Sequence, residues 1–193
     1  MIRARITGTG SYVPEKVLTN FDLEKFLDTN DEWIRTRTGI SERHIAADVE
    51  NTSDLATRAA ERALEMAGVS AEEIDLIVVG TITGDYPWPA TACIVQSNLG
   101  AVNAGAFDVS AACSGFLYAL STAVDRIEVG RSKKALVIGA EILTRIVDWE
   151  DRNTCVLFGD AAGAVVIEAQ ESENGILSTH LRADGTQLEL LYQ

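Results

Sequence analysis

The sequence predicts an α/β protein in which helices cover both sides of a parallel-rich sheet. Three observations lead to this fold class. Several short segments are almost entirely apolar, as strands buried on both faces of a sheet usually are. Segments with a helical period separate these strands along the chain. Glycine follows several of the helical segments, at the position where helices commonly end.

The first half of the chain alternates strands with helical segments. Residues 2–8 are predicted to form a strand, and Gly8 and Gly10 are predicted to turn the chain after it. Ser53 is the expected N-cap of one helix, and the sequence from Ser70 to Glu73 is typical of a capping box. The predicted helical segments are 20–28, 31–38 (a short helix or a polar turn), 52–67 and 91–99, and the second strand is 74–80.

The second half contains the segment around which the prediction is organised. Residues 106–112 are mostly apolar, with Phe107 and Val109 at alternate positions, and predict a short strand buried on both faces. A helical period then runs from Ser114 to about Glu128. Further along we expect strands at 135–139, 163–169 and 176–181, with a polar loop at 141–153.

Cys113 falls at the junction between this buried strand and the helix that follows it. Its neighbours at 111, 112, 114 and 115 are all small, as a sharp strand-to-helix turn requires. Unpaired N–H groups at a helix N-terminus favour a thiolate and can stabilise an oxyanion on a thioester carbonyl. These features predict a cysteine nucleophile that accepts an acyl group. A buried core cysteine is the alternative interpretation of the same residues.

Six segments of the chain carry a family resemblance. Residues 107–120, which read FDVSAACSGFLYAL, resemble the nucleophile segment of β-ketoacyl-acyl-carrier-protein synthase III, the initiating condensing enzyme of bacterial fatty-acid synthesis. The resemblance implies a thiolase-like fold, with layered helices around a mostly parallel mixed sheet, of which this chain is the first half of an internal duplication. The other segments follow in the family's order: 6–14 (ITGTGSYVP), 31–40 (DEWIRTRTGI), 42–46 (ERHIA), 158–164 (FGDAAGA) and 178–185 (STHLRADG).

The activity implied by this resemblance is a decarboxylative Claisen condensation. A short acyl-CoA primer, acetyl or propionyl, would be held as a thioester on Cys113 and condensed with malonyl-acyl carrier protein. The family's catalytic histidine and asparagine come from its second half. His44 and His180 lie in no segment that matches the catalytic histidine, and we expect both to form hydrogen bonds near a strand or turn.

A binding site for the nucleotide end of CoA is implied by four further positions. An aromatic face can stack on adenine, and a guanidinium group can add to the stack or reach a phosphate. On spacing alone, a tryptophan beside arginines, as at Trp33 and Arg37, is often only a packed helix edge. By resemblance, the CoA-binding residues are Trp33, Arg37, Thr38 and Arg152.

An acyl pocket is implied in the same way. Trp88 is bulkier than the residues commonly found at its position in the family, and a bulkier wall predicts a shorter pocket and a short primer. The residues that match the family's acyl pocket are Trp88, Leu143, Phe158 and Leu190.

Composition excludes several classes of partner. The chain has 193 residues and a net charge of −13, which argues against a nucleic-acid partner. No apolar stretch approaches the length of a membrane helix, and the N-terminus lacks the apolar region of a signal peptide, so we expect a cytoplasmic protein. Three cysteines in no zinc-binding pattern indicate reduced thiols and no metal site. No cofactor beyond the acyl-CoA substrate is expected.

The basic cluster Arg131, Lys133 and Lys134 is interpreted as a solvated loop rather than a carrier-protein surface.

The predicted domain organisation follows from the resemblance. Residues 1–170 form the nucleophile-bearing half, and 171–193 begin the connection to a second half. The last residues, LELLYQ, have neither a cap nor a polar tail, which is typical of a piece of a longer polypeptide. A homodimer is expected, with the Trp88 position of one subunit beside the pocket of its partner.

Two alternative functions remain open from the sequence. One is an inactive half-molecule or CoA-binding fragment. The other is a cysteine-nucleophile thioesterase or hydrolase, because AACSG at 111–115 resembles a nucleophile elbow that lacks its first glycine. Thioester hydrolysis without malonyl-CoA would distinguish a hydrolase from a condensing enzyme.

Overall fold

A computed structural model describes residues 1–190 and Tyr192. Short 3-10 turns at Ala71–Glu73, Ala112–Ser114, Leu143–Arg145, Cys155–Leu157 and Gly185–Leu190 join the longer elements. The strands are β1 (Ile2–Tyr12), β2 (Lys16–Thr19), β3 (Glu42–Ile45), β4 (Leu76–Gly80), β5 (Gly105–Val109), β6 (Lys134–Ile142) and β7 (Asp160–Glu171). The helices are α1 (Asn20–Leu23), α2 (Asp31–Thr38), α3 (Thr52–Ala67), α4 (Thr91–Leu99) and α5 (Gly115–Glu128).

The main sheet has five strands in the order β1-β7-β6-β4-β5, and β2 pairs with β3 in a separate hairpin. β4 runs parallel to both β5 and β6, whereas β7 is antiparallel to β6 and β1. Parallel pairing therefore covers only part of this mixed sheet. The segment between β6 and β7 contains 3-10 turns but no α-helix, whereas parallel neighbours are usually joined through a helix.

The core is divided into two layers by the sheet. One hydrophobic cluster packs α3 and α4 against Ile77 and Val79 of β4. The other packs α5 against Leu76 and Val78 of the same strand. Alternate residues of a strand face opposite sides, so β4 must be apolar throughout. All five of its residues are buried, as the sequence predicted.

The first strand is longer than predicted, and its glycines do not turn the chain. A Cβ atom on Gly8 would lie 2.2 Å from the Ala63 carbonyl oxygen, and one on Gly10 would lie 2.1 Å from the Ala59 carbonyl oxygen. Both glycines lie within β1 and let the backbone of α3 approach the sheet. The predicted turn was wrong because glycine serves close backbone packing as readily as it serves turns.

Two predicted element boundaries in the first half also change. The helix predicted for 20–28 ends at Leu23 and is followed by turns. Asn51, not Ser53, is the N-cap of α3. Ser53 lies inside the helix, where its N–H and hydroxyl both donate to the Asp85 carboxylate. The capping box from Ser70 to Glu73 is confirmed.

Two strand predictions in the second half are wrong. β5 is not buried on both faces, since it lies at the edge of the sheet and Phe107 is 37% exposed. Residues 176–181 form no strand. Ile176 N–H donates to the Ala4 carbonyl of the edge strand β1 at 2.9 Å, but residues 177–181 do not continue this single hydrogen bond into a ladder. No helix in the described part of the chain has the length and apolar character needed to cross a bilayer.

Candidate active site

Cys113 lies on a sharp connection between β5 and α5. The chain leaves β5 at Val109, passes through the 3-10 turn that contains Cys113, and enters α5 at Gly115. Ala112 has φ of 45°, a left-handed conformation that costs a non-glycine residue about 1–3 kcal/mol. Cys113 is exposed, so it is not a core cysteine. The connection therefore presents the thiol to solvent at the start of a helix.

Glycines allow this connection to rest directly on the sheet. A Cβ atom on Gly80 would lie 2.6 Å from the Gly115 carbonyl carbon and 2.8 Å from the Phe116 nitrogen. A Cβ atom on Gly139 would lie 3.3 Å from the Phe116 Cβ. The first turn of α5 is thus seated against the carboxyl ends of β4 and β6.

An open cavity of about 290 Å³ surrounds the Cys113 side chain. It lies at the carboxyl end of the parallel strands, where open α/β sheets commonly bind ligands. Its lining is mostly small or apolar and includes one carboxylate, that of Glu141. The lining residues are Gly80, Ala112, Cys113, Phe116, Gly139, Ala140, Glu141, Gly159, Ala161, Ala162 and Gly163.

Glu141 was missed as a site residue by the sequence analysis, which placed it in a polar loop. It is the penultimate residue of β6. Its carboxylate accepts hydrogen bonds from the backbone N–H groups of Ile82 at 2.9 Å and Thr83 at 3.0 Å. The available signal was that Glu141 is the one acidic residue of β6 and directly follows an apolar run, at the same end of the strands as Cys113.

Asp160 explains why the predicted family segments 42–46 and 158–164 lie together. Its carboxylate is 2% exposed. It accepts from Ala46 N–H at 2.7 Å, from Thr144 N–H at 3.0 Å and from the Thr144 hydroxyl at 2.6 Å. A buried carboxylate with three donors is well satisfied and fixes the start of β7 beside the cavity.

A second cluster forms on the surface around Trp33. The Arg37 guanidinium lies 4.5 Å from the centre of the Trp33 indole ring, and that of Arg152 lies 4.7 Å from it. The structure therefore brings together three of the four residues predicted to bind CoA. The Thr38 hydroxyl, in contrast, donates to the Ile34 carbonyl at 2.7 Å and accepts from Ile40 N–H at 3.0 Å, at the end of α2.

A buried polar network fixes α2 to the rest of the chain. Arg43 is 5% exposed and donates to the Asn20 side chain at 3.0 Å and to the Val156 carbonyl at 3.1 Å. Asn20 in turn donates to the Asp31 carboxylate at 2.8 Å, in the first turn of α2. Burial lowers the pKa of Arg43 from its ordinary value, because the interior disfavours its charge. The Trp33 surface is thereby held in a fixed position.

Three of the four residues predicted to form the acyl pocket are absent from the lining of the Cys113 cavity. Trp88 is 82% exposed, and Leu143 and Phe158 are half-buried. None of these three lines the Cys113 cavity, although Phe158 directly precedes Gly159, which does. The Leu190 side chain lies outside the described residues. The acyl-pocket assignment stays a prediction.

Neither histidine lies in the lining of the Cys113 cavity. His44 Nδ1 forms a hydrogen bond with the Pro14 carbonyl, as expected for a histidine near a strand or turn. His180 is exposed. Among the described residues, the lining of the Cys113 cavity contains no histidine and no asparagine.

Comparisons with known proteins connect this site to a family. The family described as 3-oxoacyl-[acyl-carrier-protein (ACP)] synthase III matches residues 107–185. The β-ketoacyl-[acyl-carrier-protein] synthase III of Xanthomonas campestris pv. campestris is 65% identical over 191 residues, which are 99% of this chain and 58% of that protein. The chain thus spans somewhat more than half the length of this relative.

Solved structures show the same relationship. The 3-oxoacyl-[acyl-carrier-protein] synthase III of Aquifex aeolicus VF5 matches with a TM-score of 0.92 and 56% identity, over 95% of this chain and 59% of that one. The corresponding enzyme of Pseudomonas aeruginosa PAO1 matches with a TM-score of 0.93 and 46% identity, over 98% of this chain and 60% of that one. These matches confirm the predicted thiolase-like α/β fold.

Proposed function

We propose that this chain, which is similar to the N-terminal part of 3-oxoacyl-[acyl-carrier-protein] synthase III proteins, belongs to that family and that Cys113 is the acyl-accepting nucleophile of a condensing enzyme. The observation that carries this proposal is the exposed thiol on its strained connection, directly above the ends of two parallel strands. The α5 N-terminus places unpaired backbone N–H groups and a partial positive charge close to Cys113.

The first half-reaction is a transthioesterification. The Cys113 sulfur attacks the carbonyl carbon of a short acyl-CoA, and a tetrahedral oxyanion forms. The bond between that carbon and the CoA sulfur then breaks, which leaves an acyl-Cys113 thioester and releases CoA as a thiol after it takes up a proton. Backbone N–H groups at the helix start are suited to stabilise the oxyanion.

The second half-reaction consumes the acyl group. Malonyl-acyl carrier protein loses carbon dioxide, and the resulting enolate attacks the carbonyl of acyl-Cys113. A carbon–carbon bond forms, the bond to the Cys113 sulfur breaks, and β-ketoacyl-acyl carrier protein leaves. In the family the enolate is stabilised by a histidine and an asparagine of the second half, so we assign that step to residues outside the sequence described.

The CoA site is proposed at the Trp33 surface. Two guanidinium groups over one indole ring make a cationic, aromatic surface, which suits both an adenine ring and phosphate groups. Arg37 and Arg152 would pair with the phosphates, and Trp33 would stack on the base. Thr38 would contribute through its position at the end of α2.

The primer and the assembly are proposed from the exposed loop that carries Trp88. A bulky wall at Trp88, with Leu143, Phe158 and Leu190, would limit the primer to acetyl or propionyl. The exposure of Trp88 and the free outer edge of β5 within the described sheet both support a homodimer, in which Trp88 approaches the partner's pocket. We also infer a cytoplasmic location, where acyl-CoA and acyl carrier protein occur.

The test is an acetylation assay read by mass spectrometry. We expect one acetyl group on Cys113 when the full-length polypeptide that contains this chain is incubated with acetyl-CoA. Cys113→Ala should remove the label. Cys93→Ala is the matched control, because Cys93 is also an exposed cysteine and should be dispensable.

Other outcomes separate the alternatives. Acetyl-CoA hydrolysis over many turnovers without malonyl substrate would indicate a hydrolase. Labelling of the full-length polypeptide but not of the isolated chain would indicate that the chain alone is an inactive half-molecule. Equal labelling by a long-chain acyl-CoA would contradict the short primer, and a label retained in Cys113→Ala would contradict the proposed nucleophile.

A further inference from the structure

We propose that Glu141 is a positioning residue for the acylation of Cys113, because its carboxylate fixes the backbone of residues 81–83, the loop that directly follows Gly80 of the cavity lining. This inference rests on the proposed function of Cys113. Glu141 acts through the loop and forms no bond to the substrate.

The Glu141 carboxylate collects four donors from three consecutive residues. One oxygen, Oε1, accepts from Ile82 N–H at 2.9 Å. The other, Oε2, accepts from Thr83 N–H at 3.0 Å, from the Thr81 hydroxyl at 3.2 Å and from the Thr83 hydroxyl. Charge-assisted hydrogen bonds are stronger than neutral ones, so this loop is firmly held to the end of β6.

The same loop is connected to the strand that leads to Cys113. Thr81 N–H donates to the carbonyl of Val109, the last residue of β5, at 3.2 Å. Glu141 itself lines the cavity that contains Cys113. The carboxylate therefore links the loop after β4, the end of β6 and the connection that presents the nucleophile.

The pattern of donors requires a carboxylate rather than an amide. Both oxygens of Glu141 face a backbone N–H, and both must accept. Glutamine has the same shape but one acceptor and one N–H₂ donor. In either orientation of its amide, the N–H₂ group would face Ile82 N–H or Thr83 N–H, so Glu141→Gln must lose one side of the network.

Asp75 offers a matched control at the opposite end of the same two strands. It directly precedes β4, and its carboxylate accepts from Lys133 N–H at 2.6 Å, just before β6. Asp75 and Glu141 thus join β4 to β6 through carboxylate-to-backbone hydrogen bonds, at opposite ends of these two strands. Asp75→Ala removes a comparable anchor far from Cys113.

The experiment measures Cys113 acetylation by acetyl-CoA in the full-length polypeptide for wild type, Glu141→Gln, Glu141→Asp and Asp75→Ala. We expect Glu141→Gln to lower the rate at saturating acetyl-CoA by about tenfold or more, with KM changed less than about twofold. Glu141→Asp retains both acceptors and should recover part of the rate. Asp75→Ala should keep the wild-type rate even if its melting temperature falls.

Alkylation by iodoacetamide, measured on the same samples, keeps this test independent of the proposed reaction. We expect Glu141→Gln to raise the alkylation rate of Cys113 by about threefold or more, since a loosened loop after Gly80 lets the cavity open, and to leave that of Cys93 unchanged. A wild-type protein that takes no acetyl group would overturn the proposed function, and the alkylation rates would then decide the role of Glu141. Wild-type acetylation and alkylation rates in Glu141→Gln, or equal losses in Glu141→Gln and Asp75→Ala, would overturn the positioning role.

Discussion

Two cysteines of this chain stand in opposite environments. Cys113 is exposed on a backbone connection that is shaped by glycines and by one left-handed alanine. Cys155 is fully buried in the small cluster beneath the Trp33 surface. Burial and the nearby Asp151 carboxylate raise the pKa of the Cys155 thiol, which keeps it in the unreactive neutral form.

The two regions are also built differently. Around Cys113, the backbone of β4 contacts the backbone of α5, so an added methyl group at this contact must clash. Around Trp33, the contacts are between the side chains of Trp33, Arg37 and Arg152, which are half-buried or exposed. Substitutions should therefore have abrupt effects at the first region and graded effects at the second.

The largest expected effect is that of Gly80→Ala. A Cβ atom 2.6 Å from the Gly115 carbonyl carbon must push α5 away from the sheet. Overpacking of this kind typically costs about 1–3 kcal/mol, more than the ~0.4–1 kcal/mol gained from a less flexible unfolded chain. We expect a lower free energy of unfolding in urea and a loss of about a hundredfold in Cys113 acetylation.

Gly105→Ala is the control for this substitution. Gly105 is also a strand glycine, but its Cβ atom would meet no atom closer than 4.0 Å. Its stability and acetylation should stay close to those of the wild type. If Gly80→Ala behaved like Gly105→Ala, the backbone contact would not be what positions Cys113.

An intermediate effect is expected at the Trp33 surface. Arg37→Ala should raise KM for acetyl-CoA roughly three- to tenfold with little change in kcat, because an exposed cation–π or phosphate contact contributes about 0.5–1 kcal/mol or slightly more. Arg35→Ala is the matched control, since Arg35 lies on the same helix but pairs with Asp31 at 3.7 Å. Equal changes in KM for both variants would mean that general positive charge, not the Trp33 cluster, attracts CoA.

The smallest effect is expected at Cys155. Brief treatment of the native protein with iodoacetamide should modify Cys113 and Cys93 and leave Cys155 intact, while treatment in urea should modify all three. Peptide mapping by mass spectrometry measures this difference. Rapid native modification of Cys155 would show that the cluster beneath Trp33 opens readily and would weaken the contrast between the two regions.

Local sequence patterns determined much of this protein. The all-apolar β4, the helical periods of α3, α4 and α5, and the capping box at Ser70 each depend on residues close together in the chain. The position of Cys113 between a strand and a helix is equally local, as is the run of small residues around it. A resemblance carried by six segments then indicated the family, which the comparisons support.

Tertiary structure decided how equivalent local signals are used. Gly8 and Gly10 are as compatible with a turn as with close helix packing. Only the contact with the α3 backbone shows that their role is close packing. Asn51 and Ser53 are both residue types that cap helices well. Ser53 instead donates its N–H and hydroxyl to the carboxylate of Asp85, which lies in a distant loop. These choices depend on contacts between residues far apart in sequence, and no local pattern records such contacts.

The dependence on distant contacts also explains why the sequence analysis predicted Cys113 but missed Glu141. Cys113 was predicted because its signal lies in its immediate neighbours. Glu141 was missed because its four donors lie in a loop after another strand, and sheet pairing alone brings that loop beside it. The sequence by itself determined most of the longer elements and the place of the candidate nucleophile Cys113 between a strand and a helix. Only the packing of those elements decided which glycines, caps and carboxylates support it, because each of these roles needs a partner supplied by the fold.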